Sequence, residues 1–186
     1  MDQRQVFDVL VIGSGAAGLT VALNVADNAK VAVLSKDKLD SGSTRWAQGG
    51  IAAVLDSDDS IKAHVADTLD AGAGLCSYNA VRHTVENSTD AIKWLIEQQV
   101  QFSKDSNDEY HLTKEGGHSH RRIIHAADAT GVAVSEALVG QALANKNISL
   151  FEHRVAIDVI SCEKFKIPGK GVAGAYVLNE DTGHVE

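Results

Sequence analysis

An α/β fold of the Rossmann-like type, a parallel sheet with a later antiparallel hairpin, is what this sequence predicts. Three observations carry that expectation. Phe7–Ile12 is apolar apart from Asp8 and rich in Val and Ile, the pattern of a buried parallel strand. Gly13-Ser14-Gly15-Ala16-Ala17-Gly18 follows at once and opens Leu19–Ala26, where Val, Ala and Leu recur at helical spacing. Val31–Leu34 is a second short apolar run. Strand, glycine turn, helix and strand within about 30 residues make a βαβ unit, whose crossover forces the strands parallel.

The later elements are read in the same way. Asp37–Asp59 is rich in Gly, Ser and Ala and is long for a loop, which points to a functional segment. Ser60–Ala71 and Asn79–Gln98 read as helices, with Ala80, Ala91, Trp94 and Leu95 on the buried face of the second. Gln101–His125 is polar and irregular, and Val132–Leu143 returns to helix after Thr130-Gly131. Ile148–His153 is a third strand. Ala156–Ser161 and Val172–Leu178 pair as an antiparallel hairpin through Pro168-Gly169. With no repeat and no linker, 186 residues are expected to form one domain.

Composition removes several classes. Lys and Arg number 17 against 25 Asp and Glu, a net charge of −8, which argues against nucleic-acid or anionic-membrane binding. A hydrophobic content of 44% supports a core and excludes disorder. The longest apolar run, Ile51–Leu55, is five residues, far short of the roughly 20 that cross a bilayer. Cys76 and Cys162 match no zinc or redox spacing, and the start at Met1-Asp2-Gln3 resembles no signal peptide. A cytoplasmic protein with reduced thiols is expected.

Two segments carry chemistry. Gly13, Gly15 and Gly18 match G-x-G-x-x-G in its required context, after a strand and at the start of a helix. The first glycine permits the turn, and the second lets the backbone approach a pyrophosphate. The third lets the helix close on the strand, and the helix N-terminus favours the phosphate charge. The usual acidic partner at the second strand tip is ambiguous: Ser35-Lys36 stand there and Asp37 lies just beyond. Lys36 could neutralise a phosphate instead. Ser43–Gly50 contains Ala47-Gln48-Gly49-Gly50, small residues whose N–H groups can approach a flat ring closely.

Gly13–Gly18, Ser43–Gly50 and Glu115–Arg122 together resemble the succinate dehydrogenase/fumarate reductase flavoprotein family. Trp46–Val54 and His111–Arg122 are most similar to its aspartate-oxidising branch. The resemblance implies a Rossmann-like FAD-binding domain with an antiparallel hairpin insertion, incomplete at its C-terminus. It implies oxidation of L-aspartate to iminoaspartate, with oxygen or fumarate as acceptor and quinolinate synthase as a partner. Residue by residue, it implies Gly13, Ser14, Gly15, Ala16, Ala17 and Gly18 at the pyrophosphate and Lys36 near the adenosine. Ser43, Thr44, Arg45, Trp46, Ala47, Gln48, Gly49 and Gly50 would run along the flavin, and Ala156 would offer backbone to the adenine. Succinate dehydrogenases carry a histidine at the position of Ser43 that bonds the flavin, so serine implies non-covalent FAD.

Glu115 matches the carboxylate that orients the substrate through its α-ammonium, the group that separates aspartate from succinate. The family's catalytic arginine and histidines lie in a capping domain beyond these residues, so the resemblance implies no turnover from this stretch alone. His118, His120 and His125 lack the spacing of a metal site, and no metal is expected. With Arg121 and Arg122 they read as a basic loop near an anionic substrate or flavin, or as ordinary packing histidines. Two other functions fit the same motifs: a soluble fumarate reductase or succinate dehydrogenase flavoprotein, and a non-catalytic FAD-binding module.

Overall fold

The computed structural model describes residues 5–127 and 129–186. Residues 1–4, on which the reading of a leaderless start rests, lie outside the described residues. In chain order the first elements are β1 (Val9–Ile12), α1 (Ala16–Val25), β2 (Val31–Leu34), β3 (Ile51–Ala52), α2 (Ile61–Ala71), α3 (Tyr78–Glu86) and α4 (Ser88–Glu97). There follow β4 (Leu112–Thr113), β5 (Ile123–Ile124), α5 (Thr130–Ala144), β6 (Ile148–Phe151), β7 (Arg154–Ser161), α6 (Cys162–Phe165), β8 (Val172–Asn179) and β9 (His184–Val185). The chain divides into two compact units, Met1–Thr44 with Ser135–Glu186, and Arg45–Val134.

The first unit is built on a parallel sheet of order β1-β2-β6, in register Val9↔Val31 and Val31↔Ile148. All four residues of β2 are buried, as expected for the middle strand of a parallel sheet. α1 packs on the face of β1 that carries Val11, and Leu19 and Ala22 are buried there. β7, β8 and β9 form a separate antiparallel sheet, so the expected hairpin is present and extends by a further strand. Its connection holds α6, capped by Ser161 Oγ accepting from Lys164 N–H at 3.1 Å.

The expected burial of β1 is corrected. The sequence pattern of β1 predicts burial, but among the described residues it is an edge strand, with Leu10 37% and Ile12 57% exposed. Alternation puts these two residues on the face away from α1, and among the described residues nothing covers it.

The second unit joins three helices to a small antiparallel sheet of order β3-β5-β4. Its core holds Val65, Val85, Ile92, Phe102, Ile123 and Ile124. α2 starts where the sequence puts it, because Ser60 Oγ accepts from Ala63 N–H at 3.1 Å.

The single helix expected over Asn79–Gln98 is two. Asn87, at φ −97° and ψ 0°, breaks it; its Nδ2 donates to the His83 carbonyl, and Ser88 Oγ donates to that of Val85. The break resets the buried face to Val85 and Ile92, leaving Ala80 and Ala91 exposed and Trp94 and Leu95 half-buried. Gln101–His125 is not wholly irregular either, since it contributes β4 and β5. Two-residue strands are too short to show a period in the sequence.

Candidate functional site

The glycine turn belongs to the first unit. Gly13 continues the sheet by donating its N–H to the Leu34 carbonyl at 2.8 Å, then turns with φ +115°. That angle is open to glycine and strained for other residues. Ser14 points inward, its Oγ donating to the Leu39 carbonyl at 2.8 Å and lying 3.0 Å from Ser35 Oγ. Thr44 Oγ1 accepts the Ala16 N–H at 3.0 Å, tying Ser43-Thr44 to the helix start. A Cβ at Gly15 would meet only Thr44 Oγ1, at 3.3 Å, and one at Gly13 would meet nothing within 4 Å. Ala17 and Gly18 add first-turn N–H groups that have no intrahelical acceptor.

At the second strand tip Ser35 is buried and Lys36 exposed. Ser35 donates its N–H to Phe151 and accepts from Arg154 N–H, both at 2.8 Å. These bonds bring the start of β7 to the tip. Ala156 lies two residues further on, opposite Val177. Glu152, which the sequence reading missed, accepts the Leu39 N–H at 2.9 Å through Oε1. Nothing local marks it, because its partner is 113 positions away. A turn whose Gly13 and Gly15 carry no Cβ, at a helix N-terminus and with a lysine at the neighbouring tip, fits the pyrophosphate half of a dinucleotide.

Arg45–Gly50 belongs to the second unit. Trp46 is 74% exposed, and Ala47, Gln48 and Gly49 are exposed beside it. The Ala47 carbonyl accepts the Gly131 N–H at 2.9 Å. Gly50 lies against β5, where a Cβ would stand 2.4 Å from both Ile123 Cγ2 and the Ile124 carbonyl oxygen. At Gly49 a Cβ would meet nothing within 4 Å. An anchored segment that is open at Ala47 and Gly49, where little or no side chain stands, fits the close approach of a flat ring.

Glu115 follows β4 in the same unit. It is exposed, and among the described residues its carboxylate has no ion pair. The basic-loop reading of Arg122 is corrected. Its side chain is fully buried and is held by Asp59 at 2.7 and 2.8 Å and by Asp67 at 2.6 Å. A guanidinium spent on two carboxylates has no charge left for an outside anion. Arg121 donates to the Leu112 carbonyl at 3.1 Å.

Burial alone would raise the Asp67 carboxyl, but hydrogen bonds from Ser119 and Arg122 hold it at about 2. His64, buried beside this cluster with its Nδ1 unpartnered, is pushed below the usual imidazole range. Burial is the main cause, and the positive charges of Arg122 and His118 add to it. Among the described residues no three His, Cys, Asp or Glu side chains converge as a metal site.

A parallel sheet with a glycine cradle at its first strand-to-helix turn defines a dinucleotide-binding α/β domain. The chain belongs to the FAD binding domain family, whose model matches residues 8–186, and FAD is its cofactor. It is 56% identical to an L-aspartate oxidase of Pseudomonas aeruginosa, over all of this chain and 36% of that protein. It is 53% identical to an L-aspartate oxidase of Yersinia pestis, over 98% of this chain and 35% of that protein. The chain thus spans about a third of these relatives. Among solved structures, a variant of the E. coli quinol fumarate reductase superposes with a TM-score of 0.85 at 28% identity. That match covers 93% of this chain and 29% of that one. No described helix is long and apolar enough to cross a membrane.

Proposed function

We propose that the parent of this chain oxidises L-aspartate to iminoaspartate, and that residues 1–186 are its partial FAD-binding domain. The observation that carries the reading is the 56% identity to an L-aspartate oxidase over the whole of this chain. Capping and helical domains are assigned to the rest of the parent. FAD, when bound, supplies the two-electron acceptor for this dehydrogenation, and oxygen or fumarate takes the electrons onward.

In this reading Gly13, Ser14, Gly15, Ala16, Ala17 and Gly18 hold the pyrophosphate through backbone N–H groups. Ser14 contributes its backbone, because its hydroxyl is spent on Leu39. Lys36 and the Ala156 backbone serve the adenosine end, and Ser43–Gly50 run along the flavin, held non-covalently. Glu115 meets the substrate ammonium and so orients the Cα–H bond that is broken. A carboxylate without a competing ion pair suits that task. The product imine passes to quinolinate synthase in the cytoplasm, as the first step of NAD biosynthesis from aspartate.

The test is Glu115→Gln in the intact FAD-loaded protein. The amide keeps the shape and removes the charge. KM for L-aspartate is expected to rise at least about 10-fold, a loss of about 1.4 kcal/mol, while KM for fumarate with a reduced dye stays within about 2-fold. Equal effects on both ligands would refute the ammonium assignment. A flavin bleached by succinate but not by aspartate would favour the succinate dehydrogenase reading.

A further inference from the structure

The loop that carries Glu115 has little stiffness of its own. It runs from the end of β4 to the start of β5 and contains Gly116 and Gly117, the latter at φ +82°. Adjacent glycines leave a backbone free to sample many conformations. A substrate-orienting carboxylate in such a loop needs an external brace.

That brace is on α2. One oxygen of Asp67, Oδ2, accepts from the Ser119 N–H at 2.7 Å and from the Ser119 hydroxyl at 2.7 Å. The same oxygen accepts from Arg122 Nη1 at 2.6 Å. Arg122 is itself gripped through Nε and Nη2 by Asp59, the residue before the Ser60 cap of α2. At the neck of the loop Arg122 N–H donates to the Thr113 carbonyl at 3.2 Å. Within the loop, His118 N–H donates to the Glu115 carbonyl at 3.3 Å, and Lys114 Nζ to the Ser119 carbonyl at 3.0 Å. From Glu115 to Ser119 the loop is therefore closed on itself, and its far end is fixed by Asp67.

We infer that Asp67 and Ser119 are positioning residues for Glu115: α2, through Asp67 Oδ2 and both donors of Ser119, sets where the substrate-binding carboxylate stands. The inference rests on the reading of Glu115 as the ammonium partner. Neither residue touches substrate. Their effect is confined to ligands that carry the amine, and it disappears when Glu115 has already lost its charge. A plain structural cross-link would weaken all ligands, or the FAD content, alike.

The experiment uses the intact FAD-loaded protein with Ser119→Ala, Asp67→Asn, Glu115→Gln and the double variant Ser119→Ala/Glu115→Gln. Steady-state KM and kcat are measured for L-aspartate, and for fumarate with a reduced dye. Ser119→Ala is expected to raise KM for aspartate about 3–5-fold and Asp67→Asn about 10-fold, with fumarate KM and bound FAD within about 2-fold. In the double variant Ser119→Ala adds less than about 2-fold to Glu115→Gln, since the two act through one carboxylate. If Asp67→Asn does not fold, Ser119→Ala decides, because it keeps the backbone bond to Asp67. Aspartate-selective loss in Glu115→Gln with none in Ser119→Ala would overturn the positioning role and leave the function intact. Non-selective loss in Glu115→Gln would overturn the ammonium reading itself.

Discussion

A Cβ added to Gly18 would stand 2.0 Å from the carbonyl oxygen of Gly13, the first glycine of the same turn. α1 therefore sits on β1 at a distance that only hydrogen permits. The same holds at Gly50 against β5.

Gly18→Ala and Gly50→Ala are each expected to destabilise the protein by about 3 kcal/mol, since the clashing atoms include backbone and cannot move aside. Gly15→Ala meets only a hydroxyl at 3.3 Å and is expected to fold with near-normal stability. Its methyl group would intrude on the pyrophosphate cradle, and FAD affinity should fall at least about 10-fold. Urea unfolding and a flavin titration separate the two effects. Normal FAD binding by Gly15→Ala would remove that glycine from the cofactor site.

Ser14→Ala should behave in the opposite way. Its hydroxyl serves Leu39 and Ser35 rather than an outside ligand. A loss of about 1 kcal/mol in stability is expected, with FAD affinity within about 3-fold of the original. A larger fall in affinity would mean that the side chain, and not the backbone, meets the cofactor.

Arg122→Met strands two carboxylates, one of them, Asp59, with a side chain only 1% exposed. Breaking a buried ion pair on one side costs about 3–5 kcal/mol. Arg122→Lys keeps the charge but loses the two-pronged grip on Asp59, and should recover only part of that loss. Urea midpoints read both. A neutral effect in Arg122→Met would mean that the cluster contributes nothing to folding.

The same cluster sets the acid sensitivity. His64 titrates lower in the folded protein than in the unfolded chain, so the unfolded chain takes up a proton first. Stability is then full above the ordinary histidine pKa near 6.5 and falls as pH drops below it. Asp67 adds a second window. Its carboxyl is held at about 2 against 3.8, so its contribution is present above pH 4 and is lost towards pH 2. For a partly solvated carboxylate this amounts to about 1 kcal/mol. Urea midpoints from pH 8 to pH 2.5 should show both declines. His64→Gln should flatten the first, and an unchanged slope in that variant would assign it to another histidine.

The glycine turn, β2 and the start of α2 were legible in the sequence because each depends on residues adjacent in the chain. Gly13 to Gly18 run from the turn straight into the first turn of the helix they open. Val31–Leu34 is buried on both faces and so reads as a continuous apolar run. Ser60 lies three residues from the N–H it caps. The nucleotide-binding class and the family follow from such local patterns. What only the tertiary structure decided involves partners distant in sequence. Arg122 was open to a basic-loop reading in the sequence, yet its carboxylates stand 63 and 55 positions away. β1 looked buried because its composition matches that of β2, but burial depends on what lies beside and over a strand. Asn87 broke a helix whose apolar spacing ran through it, because two side chains bonded back to the preceding turn. Charge pairing, strand neighbours and side-chain competition for the backbone depend on three-dimensional proximity, and a linear pattern does not record it.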